Sequence, residues 1–212
     1  MRPVIIASIT LGLAVGVFSV AFGVGAVSAG ASVAQACVMS LLVFTGATQF
    51  SAVSVIGAGG STSAALGGAL LLAARNGVYG LTMSRRLSGP LGRRLIAAQL
   101  TLDESTAMSA AQSDPDAQRT AFWITGISIY VFWNLGTLIG ALAGSAIDPQ
   151  KFGLDAAFPA AFVAMVWPLL HNARGRLAAG LGAVMCVVLI PFVPVGIPIL
   201  CAALAVLVGV PR

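Results

Sequence analysis

The chain has 212 residues, of which 58% are hydrophobic and only 8% are charged. A soluble domain of this length needs many more charged residues on its surface, so the composition argues against one and predicts an all-α integral membrane protein. The net charge of +5 comes from basic residues in short loops, which is typical of cytoplasmic loops in membrane proteins and not of nucleic-acid binding. No long polar stretch interrupts the pattern. Residues 1–212 are therefore expected to form a single polytopic membrane domain of about six or seven hydrophobic segments.

The first apolar run, Val4–Ala29, would form a helix about 39 Å long, more than the ~30 Å hydrocarbon core of a bilayer requires. A signal peptide is the alternative interpretation, but the apolar run is too long for one and further spans follow. Ser8, Gly12 and Gly16 recur at four-residue spacing. Such a row of small residues lets another helix approach closely, so we predict a tightly packed transmembrane helix.

The second run, Val33–Ile56, is apolar at both ends but polar and small-residue-rich in its middle, and the stretch Gly57–Ser63 then interrupts the pattern. A third run, Ala64–Met83, contains Arg75-Asn76. An arginine within a span costs about 2.5–3.5 kcal/mol on insertion scales, so it needs carbonyls, water or a carboxylate as partners. We predict that the polar stretch Thr45–Ser51 and Arg75-Asn76 meet.

The positions of the basic residues require an irregular segment. Arg2 and the loop containing Arg85, Arg86, Arg93 and Arg94 both indicate the cytoplasmic side, whereas three complete crossings would place that loop outside. Either the N-terminus is outside or one segment between Val33 and Met83 is broken or half-crossing. We favour the broken helix, a recurrent way of building transporter sites.

The region Leu95–Ala111 is too short and polar for an ordinary span, and we interpret it as one interfacial or cavity-facing helix with Asp103-Glu104 in its middle. Adjacent helical residues point about 100° apart, so only one of the two carboxylates is expected to face a cavity. Ser113–Gln118 is a predicted loop.

Three further segments complete the chain. Thr120–Ile147 is a clear span, in which Gly136, Gly140 and Gly144 form a predicted close-packing seam. The next predicted span opens at Leu154-Asp155 and ends near His171, and its Asp155 is either a helix cap or a site residue. Leu177–Val210 is predicted to be a hairpin whose turn contains the following residues: Pro191, Pro194, Gly196 and Pro198.

Four motifs follow one another along the chain. In order they are Phe44-Thr45-Gly46-Ala47-Thr48-Gln49-Phe50, Leu71-Leu72-Ala73-Ala74-Arg75-Asn76-Gly77-Val78-Tyr79-Gly80, Leu102-Asp103-Glu104-Ser105 and Gly153-Leu154-Asp155-Ala156-Ala157-Phe158-Pro159. In sequence and in order they resemble the AzlC-type large subunits of bacterial branched-chain amino acid exporters. The family usually reads Asn-Ala-Arg-His where this chain has Ala73-Ala74-Arg75-Asn76, so no histidine follows the arginine here.

The resemblance implies a multi-pass permease of the bacterial inner membrane, embedded in the lipid bilayer, that exports valine, leucine, isoleucine or similar amino acids. It also implies a partner, the small AzlD-type membrane subunit. Neither a cofactor nor a nucleic-acid partner is expected for this chain.

Arg75 is the leading substrate-binding candidate, because a guanidinium suits the carboxylate of an amino acid. Its structural alternative is an ion pair with Asp103 or Glu104, or contacts to carbonyls of a broken helix. The other substrate-binding candidates are Gly46, Thr48, Gln49, Asn76 and Tyr79. The candidates for ion or proton coupling are Asp103, Glu104 and Asp155.

A secondary transporter is the function expected from these features, since no phosphate-binding loop is present in the sequence. The alternative is a non-transporting membrane scaffold or assembly subunit, in which buried polar residues serve helix contacts. We do not expect an enzyme: no Ser/His, Asp/Asp or metal-ligand set occurs at membrane depth. With one histidine and scattered cysteines, no metal site is predicted either.

Overall fold

A computed structural model of the protein describes residues 2–146 and 166–205, together with positions 160 and 163. In these ranges every regular element is helical, as the composition predicts. The helices are α1 (Arg2–Ser28), α2 (Val33–Val43), α3 (Ala47–Gly57), α4 (Thr62–Ser84), α5 (Leu91–Gln99), α6 (Asp103–Ala110), α7 (Pro115–Ala146), α8 (Ala173–Leu189) and α9 (Ile197–Ala202). Two 3-10 turns cover Trp167–His171 and Ala203–Ala205. Asp155 and most of the predicted span around it lie outside the described residues.

Two of the described helices are long and apolar enough to cross a membrane, judged by length and composition. These are α1, with 27 residues, and α7, with 32. At 1.5 Å per residue they measure about 40 and 48 Å, against ~30 Å for a hydrocarbon core. The remaining crossings stay a prediction.

Helices α1 and α7 pack along the two predicted rows of small residues. A β-carbon on Gly12 would lie 2.7 Å from Ser128 Cβ, and one on Gly140 would overlap the backbone oxygen of Val20. Only a hydrogen fits at these positions, which confirms the predicted close approach. One buried hydrogen bond also links the pair: Thr125 Oγ1 donates to Ser8 Oγ over 2.9 Å.

The predicted run Val33–Ile56 is divided into α2 and α3 by a break at residues 44–46. Phe44 and Gly46 adopt positive φ values of 34° and 57°, which end α2 and redirect the chain. Each resulting helix has 11 residues and is about 16 Å long, too short to cross a ~30 Å core alone. The break predicted from the positions of the arginines is therefore present in the second apolar run.

Two side chains from other helices bind the carbonyls that the break leaves free at the end of α2. Gln99 Nε2 donates to the backbone oxygens of Leu41 and Leu42 over 3.0 and 3.2 Å. Tyr130 Oη donates to Leu41 O over 3.2 Å. The last carbonyls of a helix have no partner within it, so these bonds stabilise the interruption.

The region Leu95–Ala111 is two helices, and the prediction of one continuous helix is wrong. Ser105 separates them: its hydroxyl accepts from Leu102 N over 3.0 Å and donates to Leu100 O over 2.7 Å. This local bonding replaces helical hydrogen bonds at Leu100–Leu102. Asp103 and Glu104 consequently occupy the first turn of α6, where the helix dipole favours carboxylates.

Helix α7 begins earlier than predicted, at Pro115, within the expected loop Ser113–Gln118. Proline suits the first position of a helix, and Asp114 Oδ2 accepts from Ala117 N over 2.8 Å as an N-cap. In the described part of the C-terminal hairpin, α8 contacts α9 across the turn containing Pro191 and Pro194.

Candidate functional site

A cavity of about 140 Å³ opens where the broken helix meets α1, α4, α6 and α7. A site for a single water needs only roughly 10–15 Å³, so the cavity is much larger than the site of one water. Its lining residues are Val15, Phe18, Phe44, Thr45, Gly46, Ala47, Arg75, Leu102, Asp103, Glu104, Ile129 and Trp133. The cavity is thus large enough for a small organic molecule.

The pair α1 and α7 contributes an apolar wall to this cavity, made of Val15, Phe18, Ile129 and Trp133. Trp133 is held by aromatic packing, with ring centroids 6.4 Å from Phe22 and 6.2 Å from Phe50. Its side chain is 4% exposed, and its indole Nε1 has no hydrogen-bond partner among the described residues. The wall therefore offers an apolar surface, with the indole N–H buried within it.

The helix break brings backbone groups to the cavity through residues 44–47. The first bond within α3 runs from Phe50 N to Gly46 O over 3.0 Å. The amides that precede Phe50 in the helix have no acceptor in the preceding turn, and their dipoles give this end a partial positive charge. Gly46 N itself donates to Gln49 Oε1 over 3.2 Å, which stabilises the start of α3.

The charged part of the cavity comes from α4 and α6. Arg75 Nη1 lies 3.2 Å from Asp103 Oδ2, and the two side chains are 36% and 42% exposed. Among the described residues this is the one hydrogen bond that the guanidinium makes. A guanidinium has five N–H donors, so most of the donors of Arg75 are not used by this ion pair.

Glu104 lies beside this pair, at the second position of α6, which is too short to span a membrane. Burial raises the pKa of its carboxyl to about 7, and the neighbouring Asp103 carboxylate contributes to the rise. Arg75 acts in the opposite direction and lowers the pKa of Glu104, but less strongly. The carboxyl therefore changes charge near neutral pH.

The structure brings four of the predicted site residues to one cavity: Gly46, Arg75, Asp103 and Glu104. Both carboxylates line it, so the expectation that only one would do so is wrong. That expectation assumed a helix continuing through both positions, whereas Asp103 and Glu104 open a new helix. The ion pair also matches the structural alternative considered for Arg75.

Other predicted site residues lie elsewhere. Thr48 and Gln49 are 5% and 0% exposed and lie behind the break, where Gln49 binds Gly46 rather than lining the cavity. Asn76 and Tyr79 are half-buried on α4 and do not line the cavity either. Asp155 lies outside the described residues.

The residues of the apolar wall were not among the site residues predicted from the sequence. Val15, Phe18 and Ile129 are ordinary apolar residues in long apolar helices, and no local pattern distinguishes them. Trp133 had a weak signal, because a tryptophan deep within a span is less usual than one at its end. The complete cavity combines a cation, two carboxylates and the start of α3 with an apolar wall. Such a site suits a small molecule that is itself partly charged and partly apolar.

Comparison of the chain with known proteins identifies a family that it matches. The AzlC protein family model matches residues 10–147. An uncharacterized membrane protein of Helicobacter pylori (strain ATCC 700392 / 26695) is 28% identical over 79% of this chain and 74% of its own length. The branched-chain amino acid transport protein AzlC of Bacillus subtilis (strain 168) is 26% identical over 76% of this chain and 61% of its own.

The inner membrane protein YgaZ of Escherichia coli (strain K12) is 28% identical over 69% of this chain and 63% of its own. The chain thus spans less than two thirds of the Bacillus and Escherichia relatives. No solved structure matches.

These relatives carry names of membrane or membrane-transport proteins, which agrees with the composition and the long apolar helices of this chain. The family match runs from α1 to the end of α7 and so includes every element that lines the cavity. The chain belongs to the AzlC protein family.

Proposed function

We propose that this chain is the permease subunit of a secondary transporter that exports branched-chain or similar small hydrophobic amino acids across the inner membrane. The observation that carries the proposal is the cavity, in which Arg75 and two carboxylates face an apolar wall from α1 and α7. An amino acid of this class presents one charge of each sign and a small apolar side chain. The printed name of the Bacillus relative supports this substrate class.

The proposal includes a multi-pass arrangement and a small AzlD-type membrane subunit as partner. The partner follows from the family resemblance noted in the sequence. The broken helix supports a translocation role, since interrupted helices expose backbone groups to a bound substrate in membrane transporters.

Export of labelled valine, leucine, isoleucine and methionine from cells expressing the chain tests this function, with and without the small subunit. We expect export to require Arg75 and to fall in Arg75→Lys, because lysine keeps the charge but lacks the planar fork that binds a carboxylate. The matched control is Arg119→Lys. Arg119 also forms an ion pair, with Asp116 at 3.4 Å, but it does not line the cavity. Absence of export by the folded wild type would refute the proposal.

A scaffold or assembly subunit is the second candidate, and the Arg75–Asp103 ion pair favours it because such a pair can simply join α4 to α6. If the chain is a scaffold subunit, Arg75→Gln should lower the amount of protein in the membrane, while any transport per molecule stays unchanged. Export divided by protein amount therefore separates the two candidates.

A further inference from the structure

The Arg75–Asp103 contact has the geometry of an ion pair that can exchange partners. It joins one guanidinium nitrogen to one carboxylate oxygen over 3.2 Å, and about a third or more of each side chain is exposed. An Arg–carboxylate pair stabilises most when its geometry is bidentate, and a half-exposed pair with a single contact contributes little. The Arg75–Asp103 pair has a single contact, so the fork of Arg75 remains open to a second carboxylate.

Positive and negative groups lie at the same cavity but on different elements. Arg75 comes from α4, and the partial positive charge comes from the first turn of α3. Asp103 and Glu104 come from the first turn of α6, and α1 and α7 add no charged side chain to the lining. A cation and a pair of carboxylates are thus both within reach of a molecule that fills about 140 Å³.

We propose that the Arg75–Asp103 ion pair opens to bind one zwitterionic α-amino acid, each partner taking one end of it. The carboxylate of the amino acid binds Arg75 and the first turn of α3, and its ammonium group binds Asp103 with Glu104 beside it. The apolar side chain packs against Val15, Phe18 and Ile129. This inference rests on the proposed function and adds the orientation of the substrate.

The physical reason for this selectivity is charge balance. A zwitterion supplies a new partner to both Arg75 and Asp103, so opening the pair leaves neither charge alone. A molecule with a single charge offers a new partner to only one of the two side chains, so it gains one charge-assisted contact where the zwitterion gains two. The site should therefore reject the 2-oxo acid and the amine that correspond to the same amino acid.

Binding to the purified full-length chain in detergent tests the proposal, with quenching of tryptophan fluorescence or calorimetry as readout. The probes are leucine, 4-methyl-2-oxopentanoate, which lacks the ammonium group, and 3-methylbutylamine, which lacks the carboxylate. We expect both analogues to bind about 10- to 100-fold more weakly than leucine, the range for one lost charge-assisted hydrogen bond. Equal binding of all three would overturn the proposal.

Two variants test which end of the amino acid each side chain binds. If the ion pair served only to hold the helices together, neither variant would change the preference between leucine and one particular analogue. Asp103→Asn should weaken leucine binding but leave the oxo acid unchanged, so the ratio between these two probes falls towards one. Arg75→Gln should weaken leucine binding but leave binding of the amine unchanged, so the ratio between leucine and the amine falls towards one. Ratios that stay at the wild-type value in both folded variants would overturn the assignment of the two ends.

Different results refute the orientation of the substrate and the proposed transport function. Leucine export together with binding that ignores either charged group refutes the orientation and leaves the transporter intact. Absence of both leucine binding and leucine export refutes the proposed function and this inference with it. If a variant does not fold, as shown by its elution on size-exclusion chromatography, the three probes on the wild type still decide.

Discussion

Gly140→Ala tests whether the contact between α1 and α7 determines the stability of the fold. A β-carbon at position 140 would overlap Val20 O and lie 2.8 Å from Val20 C and 2.9 Å from Val20 Cα. These are backbone atoms, so no side-chain rotation relieves the overlap, and the helices must separate by roughly 0.5–1 Å. A gap of that size removes about a quarter to a half of the dispersion energy of each affected contact.

Overpacking of this kind costs about 1–3 kcal/mol. For a chain of about 200 residues, 1 kcal/mol corresponds to roughly 2–4 °C in Tm, so Gly140→Ala should lower Tm by roughly 2–12 °C. The assay is thermal unfolding in detergent at one heating rate, followed by the loss of the monodisperse peak on size-exclusion chromatography.

The matched control is Gly180→Ala in α8. A β-carbon there would meet no described atom within 4 Å, and alanine is the better helix former by about 1 kcal/mol. Its Tm should therefore equal or slightly exceed that of the wild type. If Gly140→Ala is as stable as Gly180→Ala, the packing argument is wrong.

Three other predictions concern the site and the helix break. Gly46→Ala should destabilise the protein by about 1 kcal/mol, because Gly46 has a φ of 57° that alanine adopts only with strain. The destabilisation is measured as a lower Tm, and an unchanged Tm would contradict the positive φ at this position. The pKa of Glu104 is raised from 4.5 to about 7, so the folded protein keeps a proton that the unfolded chain releases, and stability should fall as the pH rises from 4.5 to 7. Glu104→Gln should remove this part of the pH dependence of Tm, and identical profiles for variant and wild type would refute it. Gln99→Leu should cost about 1–2 kcal/mol, because Leu42 O loses its side-chain donor and Leu41 O loses one of two. Tyr130→Phe removes one bond, leaves Leu41 O bonded to Gln99, and should cost about half as much. Equal Tm values for both variants and the wild type would show that the break does not depend on these bonds.

Much of the architecture could be predicted because it depends on features that are local along the chain. The rows of small residues in α1 and α7 are visible as four-residue spacings, and the structure packs the two helices along them. The break in Val33–Ile56 follows from polar and small residues in an apolar run. The need of Arg75 for a polar partner follows from the cost of a charge among apolar residues.

Helix ends were harder to predict than helices. The junction between α5 and α6 depends on one hydroxyl, that of Ser105, which bonds backbone groups of Leu100 and Leu102. The local sequence around Ser105 would be the same if the helix were continuous, so it does not reveal the junction. Because the junction was missed, Asp103 and Glu104 were expected on different faces of one helix.

The sequence by itself determined the helical class, the small-residue rows of two helices, the broken segment and the presence of an arginine that requires a partner. Only the tertiary structure decided that Asp103, which is 28 positions away, is that partner. It also decided that Gly46 reaches the cavity while Gln49 is buried behind it, and that α1 and α7 supply the apolar wall. The physical reason is that the rotation of each helix and the place where it ends are set by contacts with distant segments, which no local spacing records.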